Sequence, residues 1–272
     1  MVIISTTYKE LDNYNYNDSI ITIGSFDGLH LGHQKIFQKM NDLFLKHKES
    51  NKILITFDPH PYSVLKNKKN NKYYLSSTLQ DKIDVINSFK DLCINILVII
   101  PFTKELSLVS ATEFLEKIIK NFNPTHIVMG YDNGFGHKRE GNIKFLKKEY
   151  QNRNFKIHEV NPKKSNDTSI MSSTLIRTLI RNGDINKANL MLGRQYSLIG
   201  RVIKGDGIGK TIKFPTINIS PSNKYQITPS SGVYFVKVEI DNNKFNGMCN
   251  IGFRPTVTNS KEETIEIHIF RV

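Results

Sequence analysis

Over roughly the first two thirds of the chain, short apolar runs alternate with stretches whose apolar residues recur at helical spacing. Residues 20–23 (IITI) read as a buried strand. A glycine-containing turn leads into 33–46, where Ile36, Phe37, Met40 and Phe44 share one helical face. The segment 52–57 (KILITF) is a second strand, ended by Pro59 and Pro61 and followed by a Lys/Asn-rich loop. A helix over 79–89, a strand over 94–100, a capped helix over 110–121 and a strand over 126–129, stopped by Gly130, continue the alternation. The pattern predicts parallel βαβ units, hence an α/β doubly wound, Rossmann-like parallel sheet. Ligands of such sheets bind beyond the carboxyl ends of the strands.

A helix pair near 172–192 closes this part. From Tyr196 onward the period becomes two: SLIGRVI, PTINI, GVYFVKVEI, FNGMCNI and TIEIHIF are strand-like and separated by Gly, Pro, Asn and Asp turns. They predict an antiparallel sheet or small antiparallel β-barrel. The chain of 272 residues thus divides into a first domain over 1–186 and a second over 187–272, both of ordinary size.

Composition mainly excludes. With 39% hydrophobic and 23% charged residues the chain can bury a core and is not wholly disordered. Cys93 and Cys249 stand far apart without a CxxC pair, so neither a disulfide framework nor a thiolate zinc site is expected, and a cytoplasmic location fits. The N-terminus lacks a basic start followed by an apolar stretch, and no apolar run approaches a membrane span. A formal net charge of +13 invites nucleic-acid binding, but the lysines are scattered among asparagines and isoleucines. The expected partners are small anionic substrates, with no nucleic acid and no membrane, for a monomer or weak homo-oligomer.

Candidate chemistry concentrates where strands pass into helices. In Gly24-Ser25-Phe26-Asp27-Gly28-Leu29-His30-Leu31-Gly32-His33 the histidines are spaced i and i+3, on one face at a helix N-terminus whose free N–H groups attract anions. Gly24, Gly28 and Gly32 let the backbone approach closely. Two imidazoles there can donate hydrogen bonds to phosphate oxygens as charge builds up in nucleotidyl transfer. Read alone, the segment is also a glycine turn with two surface histidines, or part of a metal site. Phe57-Asp58-Pro59-His60-Pro61 closes a strand rigidly and fixes Asp58 and His60 at the sheet's carboxyl edge. Ser172-Ser173-Thr174 suits a helix N-cap, and Arg177 would face the same way with a guanidinium suited to phosphate. The run Gly205-Asp206-Gly207-Ile208-Gly209-Lys210-Thr211 is not a Walker A loop, since Lys204 stands at the required first glycine and Pro215 follows in a strand-like segment. Its glycines can form a phosphate-cradling nest or a plain hairpin turn. In TIEIHIF, Glu266 and His268 point away from the isoleucines.

In their order, these motifs resemble the bacterial bifunctional riboflavin kinase/FAD synthetases. The first domain resembles their HxGH nucleotidyltransferase through 24–33, 57–61, Gly130-Tyr131-Asp132-Asn133-Gly134-Phe135-Gly136 with Arg139-Glu140-Gly141-Asn142, and 172–177. The second resembles their kinase half through Gly200-Arg201-Val202, the glycine loop, Phe214-Pro215-Thr216-Ile217-Asn218, Gly232-Val233-Tyr234 and Asn250-Ile251-Gly252-Phe253-Arg254-Pro255-Thr256. Asn133-Gly134 stand where the family usually carries a longer polar or aromatic residue, and Lys213 where it has glycine. Family members continue past the last residue here with a strand, a Tyr-Gly turn and a helix, so the kinase domain is expected to lack its C-terminal part.

The resemblance implies adenylyl transfer from ATP to FMN, giving FAD and pyrophosphate, and ATP-dependent phosphorylation of riboflavin to FMN. By it, His30 and His33 would stabilise the transition state, and Gly24, Phe26, Asp27, Gly28, Gly32, Ser172, Ser173, Thr174 and Arg177 would bind ATP. Gly205, Gly207, Gly209 and Lys210 would hold phosphates in the kinase half. Asp58, His60, Asp132, Phe135 and Arg254 would meet the flavin, and Thr216 and Asn218 would hold Mg²⁺. Glu266 would be the general base toward the riboflavin 5′-hydroxyl. Other HxGH nucleotidyltransferases act on other phosphates, and a non-catalytic flavin-binding relic would share these motifs; the kinase-like second half narrows the choice.

Overall fold

The computed structural model describes residues 1–65, 74–75, 78–92, 94–164, 168–204, 214–255 and 261–270. Gly205, Gly207, Gly209, Lys210, Lys213 and Thr256 lie outside them.

Six strands form one parallel sheet: β1 (Val2–Ser5), β2 (Ser19–Ile23), β3 (Asn51–Asp58), β4 (Ile96–Pro101), β5 (Pro124–Gly130) and β6 (Lys156–Val160), in the order β1-β4-β3-β2-β5-β6. Between and after them run α1 (Leu31–Phe44), α2 (Pro61–Val64), α3 (Leu79–Ser88), α4 (Ala111–Phe122), α5 (Ile143–Glu149), α6 (Ser173–Arg181) and α7 (Ile185–Leu192). The central strands are buried at nearly every position because both faces are covered, and their apolar runs fill those faces. Ile21, Ile23, Ile53, Ile55 and Val98 meet Phe114, Leu115 and Ile118 of α4, while Ile20, Leu54, Leu97 and Ile99 meet Ile36, Phe37 and Met40 of α1. At about 1.5–3 kcal/mol per fully buried aliphatic or aromatic side chain, these two layers dominate the stability of the domain. Ser110 caps α4 by accepting from the Glu113 N–H, as the sequence predicts.

Two strands escape the hydrophobic pattern. In β1 only Ile4 is buried, and β6 (KIHEV) is largely polar. Both are edge strands, which are covered less completely than the centre, so their apolar signal is weak. β3 and β4 lie on one side of β2 and β5 and β6 on the other, so the chain reverses its winding beside β2. The crevice at the carboxyl ends of β2 and β5 is the switch point where such sheets bind ligands.

The second sheet is antiparallel, with β7 (Gly200–Ile203), β8 (Ile217–Pro221), β9 (Gly232–Ile240), β10 (Asn243–Pro255) and β11 (Lys261–Ile269) in the order β7-β8-β11-β10-β9. Asp241 and Asn242 both take positive φ between β9 and β10, the two-residue hairpin that strand twist favours. Cys249, Ile251 and Ile265 centre its core, and burial pushes the free Cys249 thiol up to about 11. The halves are joined where Tyr74 pairs with Gln226 and where Leu75 and Ile227 enter the apolar cluster of α6 and α7. Among the described residues no helix is long and apolar enough to cross a membrane.

Candidate active site

At the switch point β2 gives way to Gly24, and the chain turns sharply through Phe26, Gly28 and Leu29, all at positive φ, before entering α1. A side chain at Gly24 would press on Phe26 and on the Asn133 amide, which donates to the Ile23 carbonyl at 3.2 Å. That contact stitches the loop after β2 to the loop after β5. Beside them opens a cavity of about 460 Å³, a volume suited to a nucleotide-sized ligand. Its walls are the loops after β2, β3 and β5 and the start of α6.

His30 is the N-cap of α1, at the helix N-terminus where the sequence places the histidine pair, and His33 lies in the first turn. His30 Nδ1 accepts the Gly32 N–H at 3.1 Å, so in the neutral ring the proton sits on Nε2. The His30 and His33 rings stack with centroids 3.8 Å apart. Burial pushes His30 down to about 4, with Arg194 and Arg177 adding to burial and Asp27 opposing it. His33 is likewise driven well down, by burial first and then by His30 and Lys82. His60 repeats the arrangement: it caps α2, accepts the Tyr62 N–H on Nδ1 at 3.2 Å, stacks on Tyr74 and is lowered to about 4 by burial. All three rings line the cavity, and His33 Nδ1 and His60 Nε2 are buried without a hydrogen-bond partner. They are hydrogen-bonding positions for a ligand.

These shifts carry a pH dependence. An unfolded histidine titrates near 6.5, whereas His30 and His60 in the fold do so at about 4, so between these values the unfolded chain binds protons the native chain rejects. Their contribution to stability is therefore complete above 6.5 and is lost as pH falls toward 4. Urea midpoints should decline between pH 7 and about 4.5, and replacing His60 by glutamine should flatten the decline. A midpoint unchanged over this range would contradict the neutral assignment.

Asp27 is 3% exposed and fully occupied in shaping the loop. Oδ1 accepts the Leu75 N–H at 2.8 Å, Oδ2 pairs with Arg177 Nη1 at 2.7 Å, and its carbonyl accepts from Ser173 Oγ at 2.9 Å. It thus anchors Arg177, and it also lines the cavity where the resemblance implies a contact with ATP. Arg177 Nη2 donates to Thr174 Oγ1, and Ser172 caps α6 by accepting the Leu175 N–H. The N-terminus of α6, with Ser172, Ser173, Thr174 and Arg177, lies on the cavity wall, where free helix N–H groups and a guanidinium can attract an anion. Gly28 does not line the cavity: at φ +73° it packs where a Cβ would sit 2.5 Å from Leu75, and its carbonyl accepts from Arg194.

Of the expected flavin contacts, His60, Asp132 and Phe135 line the cavity and Asp58 does not. Phe135 is mostly core, packed on Phe114. Asp132 is exposed, with its carbonyl held by Arg139 at 2.7 Å. Sequence reasoning gave no role to Asn133 as a brace, to Arg139 as the holder of the Asp132 carbonyl, to Tyr62 under the Arg177 guanidinium, or to the buried Lys82. In the second sheet, register places Asn218, Glu266 and Asn250 side by side on one face, with Asn218 buried. Thr216 is half-buried just before β8. Arg254 lies on β10 opposite Glu262.

Paired histidines at the switch point of a parallel sheet, facing a helix N-terminus across a cavity, mark a nucleotide-handling α/β domain joined to an antiparallel one. The family model for FAD synthetase matches residues 12–174, and that for riboflavin kinase matches residues 192–272. The bifunctional riboflavin kinase/FMN adenylyltransferase of Buchnera aphidicola subsp. Schizaphis graminum is 39% identical over 259 residues, covering 93% of this chain and 80% of that protein. The protein of that name from Bacillus subtilis is 36% identical, over 93% of this chain and 78% of its own length. A solved structure from Streptococcus pneumoniae, titled a macrolide-efflux protein, matches with a TM-score of 0.84 at 27% identity, over 100% of this chain and 86% of that one. That likeness is one of fold, and the efflux in its title is said of that protein. The chain belongs to the bifunctional riboflavin kinase/FMN adenylyltransferase family.

Proposed function

We propose that the first domain adenylylates FMN with ATP, giving FAD and pyrophosphate, and that the second phosphorylates riboflavin to FMN. The observation that carries the first activity is the set of neutral, desolvated imidazoles opposite the α6 N-terminus in one cavity. An FMN phosphate oxygen attacks the α-phosphorus of ATP in line, and the bond to the oxygen bridging to the β-phosphate breaks, releasing pyrophosphate. His30 Nε2–H donates to the non-bridging oxygens as their charge rises, and Arg177 with the α6 N–H groups holds the phosphates. Asp132 and the wall at Phe135 place the flavin.

In the second domain Glu266 takes the proton of the riboflavin 5′-hydroxyl as its oxygen attacks the γ-phosphorus of ATP, and the bond to the oxygen bridging to the β-phosphate breaks, releasing ADP. Asn218 faces Glu266 in register, Thr216 lies just before the same strand, both offer hard oxygen donors, and among the described residues no group of three His, Cys, Asp or Glu side chains is placed to hold a metal. This donor set fits Mg²⁺, which keeps few protein ligands and shares its coordination with water and phosphate, and it would there neutralise phosphate charge. The two separated cysteines and the free, buried Cys249 support a reducing cytoplasmic setting.

The test is incubation of the full chain with Mg²⁺-ATP and either FMN or riboflavin, with products separated by chromatography. FAD from FMN and FMN from riboflavin are the expected results. Glu266→Ala should cut FMN formation about 10²- to 10⁴-fold while leaving FAD formation from FMN intact. Full-rate phosphorylation by that variant would remove Glu266 from the role of base.

A further inference from the structure

Lys82, on α3, is a buried cation to which the transfer chemistry above gives no role. It is 5% exposed. Its ammonium donates to the Ser25 carbonyl at 2.9 Å and to Thr56 Oγ1 at 3.3 Å, both neutral acceptors. Among the described residues no carboxylate forms an ion pair with it; Asp27 and Asp58 act on it only from farther off, and Asp27 is already bound to Arg177. Removing an ammonium from water without an ion-pair partner costs several kcal/mol, and its helical neighbours Ile83 and Ile86 show the apolar residue that packing alone would select.

The position of the charge suggests what offsets that cost. Ser25 lines the cavity between Gly24 and Phe26, directly before the histidine pair, and Thr56 lies beneath it on β3. The field of Lys82 reaches His33 and His60, disfavouring protonation of both. We propose that Lys82, one layer behind the cavity wall, is a positioning residue for adenylyl transfer, fixing the Ser25 carbonyl under the β2–α1 loop and supplying through that loop a positive charge whose counter-ion is a phosphate group of the bound nucleotide. The inference rests on the reading of the cavity as the adenylyl-transfer site. ATP and FMN both bring phosphate. The charge counts most where negative charge grows, on the oxygens of the attacked α-phosphorus.

The experiment compares the full chain with Lys82→Met, Lys82→Gln and Lys82→Arg for melting temperature, riboflavin phosphorylation, and kcat and KM of FAD formation with ATP and FMN varied separately. The Met and Gln variants should melt at or above the unsubstituted temperature and keep kinase activity, yet lose about 10- to 100-fold in kcat for FAD formation. Arginine should restore part of the rate. An accompanying rise in the KM for ATP alone assigns the counter-ion to the triphosphate, and a rise for FMN alone assigns it to the flavin phosphate. A Met variant that melts lower and loses FAD formation only in proportion to its folded fraction would reduce Lys82 to a structural residue. A rate within about twofold of the unsubstituted chain would overturn the proposal. An unsubstituted chain that makes no FAD from FMN would overturn the reading of the cavity itself.

Discussion

Replacing His30 and His33 together by alanine is expected to lower FAD formation by about 10³-fold or more while riboflavin phosphorylation by the same chain persists. The size follows from the state of the two rings. Each lies in a desolvated site, where a hydrogen bond to a charged oxygen is worth more than in water, and each is held neutral with a defined place in the cavity. Because the rings stack at 3.8 Å they act as a unit, so the single variants should each show most of the loss and the double variant little more. His30→Ala also removes the acceptor for the Gly32 N–H and so loosens the first turn of α1. His30→Asn offers a side-chain oxygen as the cap and separates that effect from the chemistry. It should fold like the unsubstituted chain and remain inactive in FAD formation. FAD formation by the double variant at the unsubstituted rate would dismiss the histidines as transition-state donors.

The histidine pair was legible because its chemistry is local: a strand, a glycine turn and a helix within fifteen or so residues set both rings. The central strands and α1, α3 and α4 were legible for the same reason, since their apolar periods fill both faces of the sheet. What stayed hidden depends on pairs far apart in sequence. Nothing near Asp27 announces that its carboxylate is bound by Arg177 and by the Leu75 N–H. Lys82 reads as an ordinary charged residue of an amphipathic helix until β2 and β3 place Ser25 and Thr56 against its ammonium. Phe135, expected at the flavin, is fixed first by the core because α4 brings Phe114 against it. The parallel edges β1 and β6 were invisible because strand pairing there rests on main-chain hydrogen bonds, which leave little mark on side-chain pattern.

The second large effect belongs to Asp27. Alanine there leaves the largely buried Arg177 guanidinium without its carboxylate and the Leu75 N–H without its acceptor, a change that should cost about 3–5 kcal/mol. Asparagine should do nearly as badly, because one end of its amide turns a donor toward another donor. FAD formation should fall with it, since Arg177 and Thr174 lose their common alignment on the α6 wall of the cavity. The pair can be separated by a double-mutant cycle in urea. Arg177→Ala alone removes the cation and leaves Asp27 its Leu75 partner, so its cost should be smaller. Adding Arg177→Ala to Asp27→Ala should then restore part of the stability, because no buried cation is left unpaired, while FAD formation stays low for want of the guanidinium. Strict additivity of the two losses would mean that the ion pair is not what holds the loop. Recovery of FAD formation in the double variant would mean that Arg177 holds no phosphate.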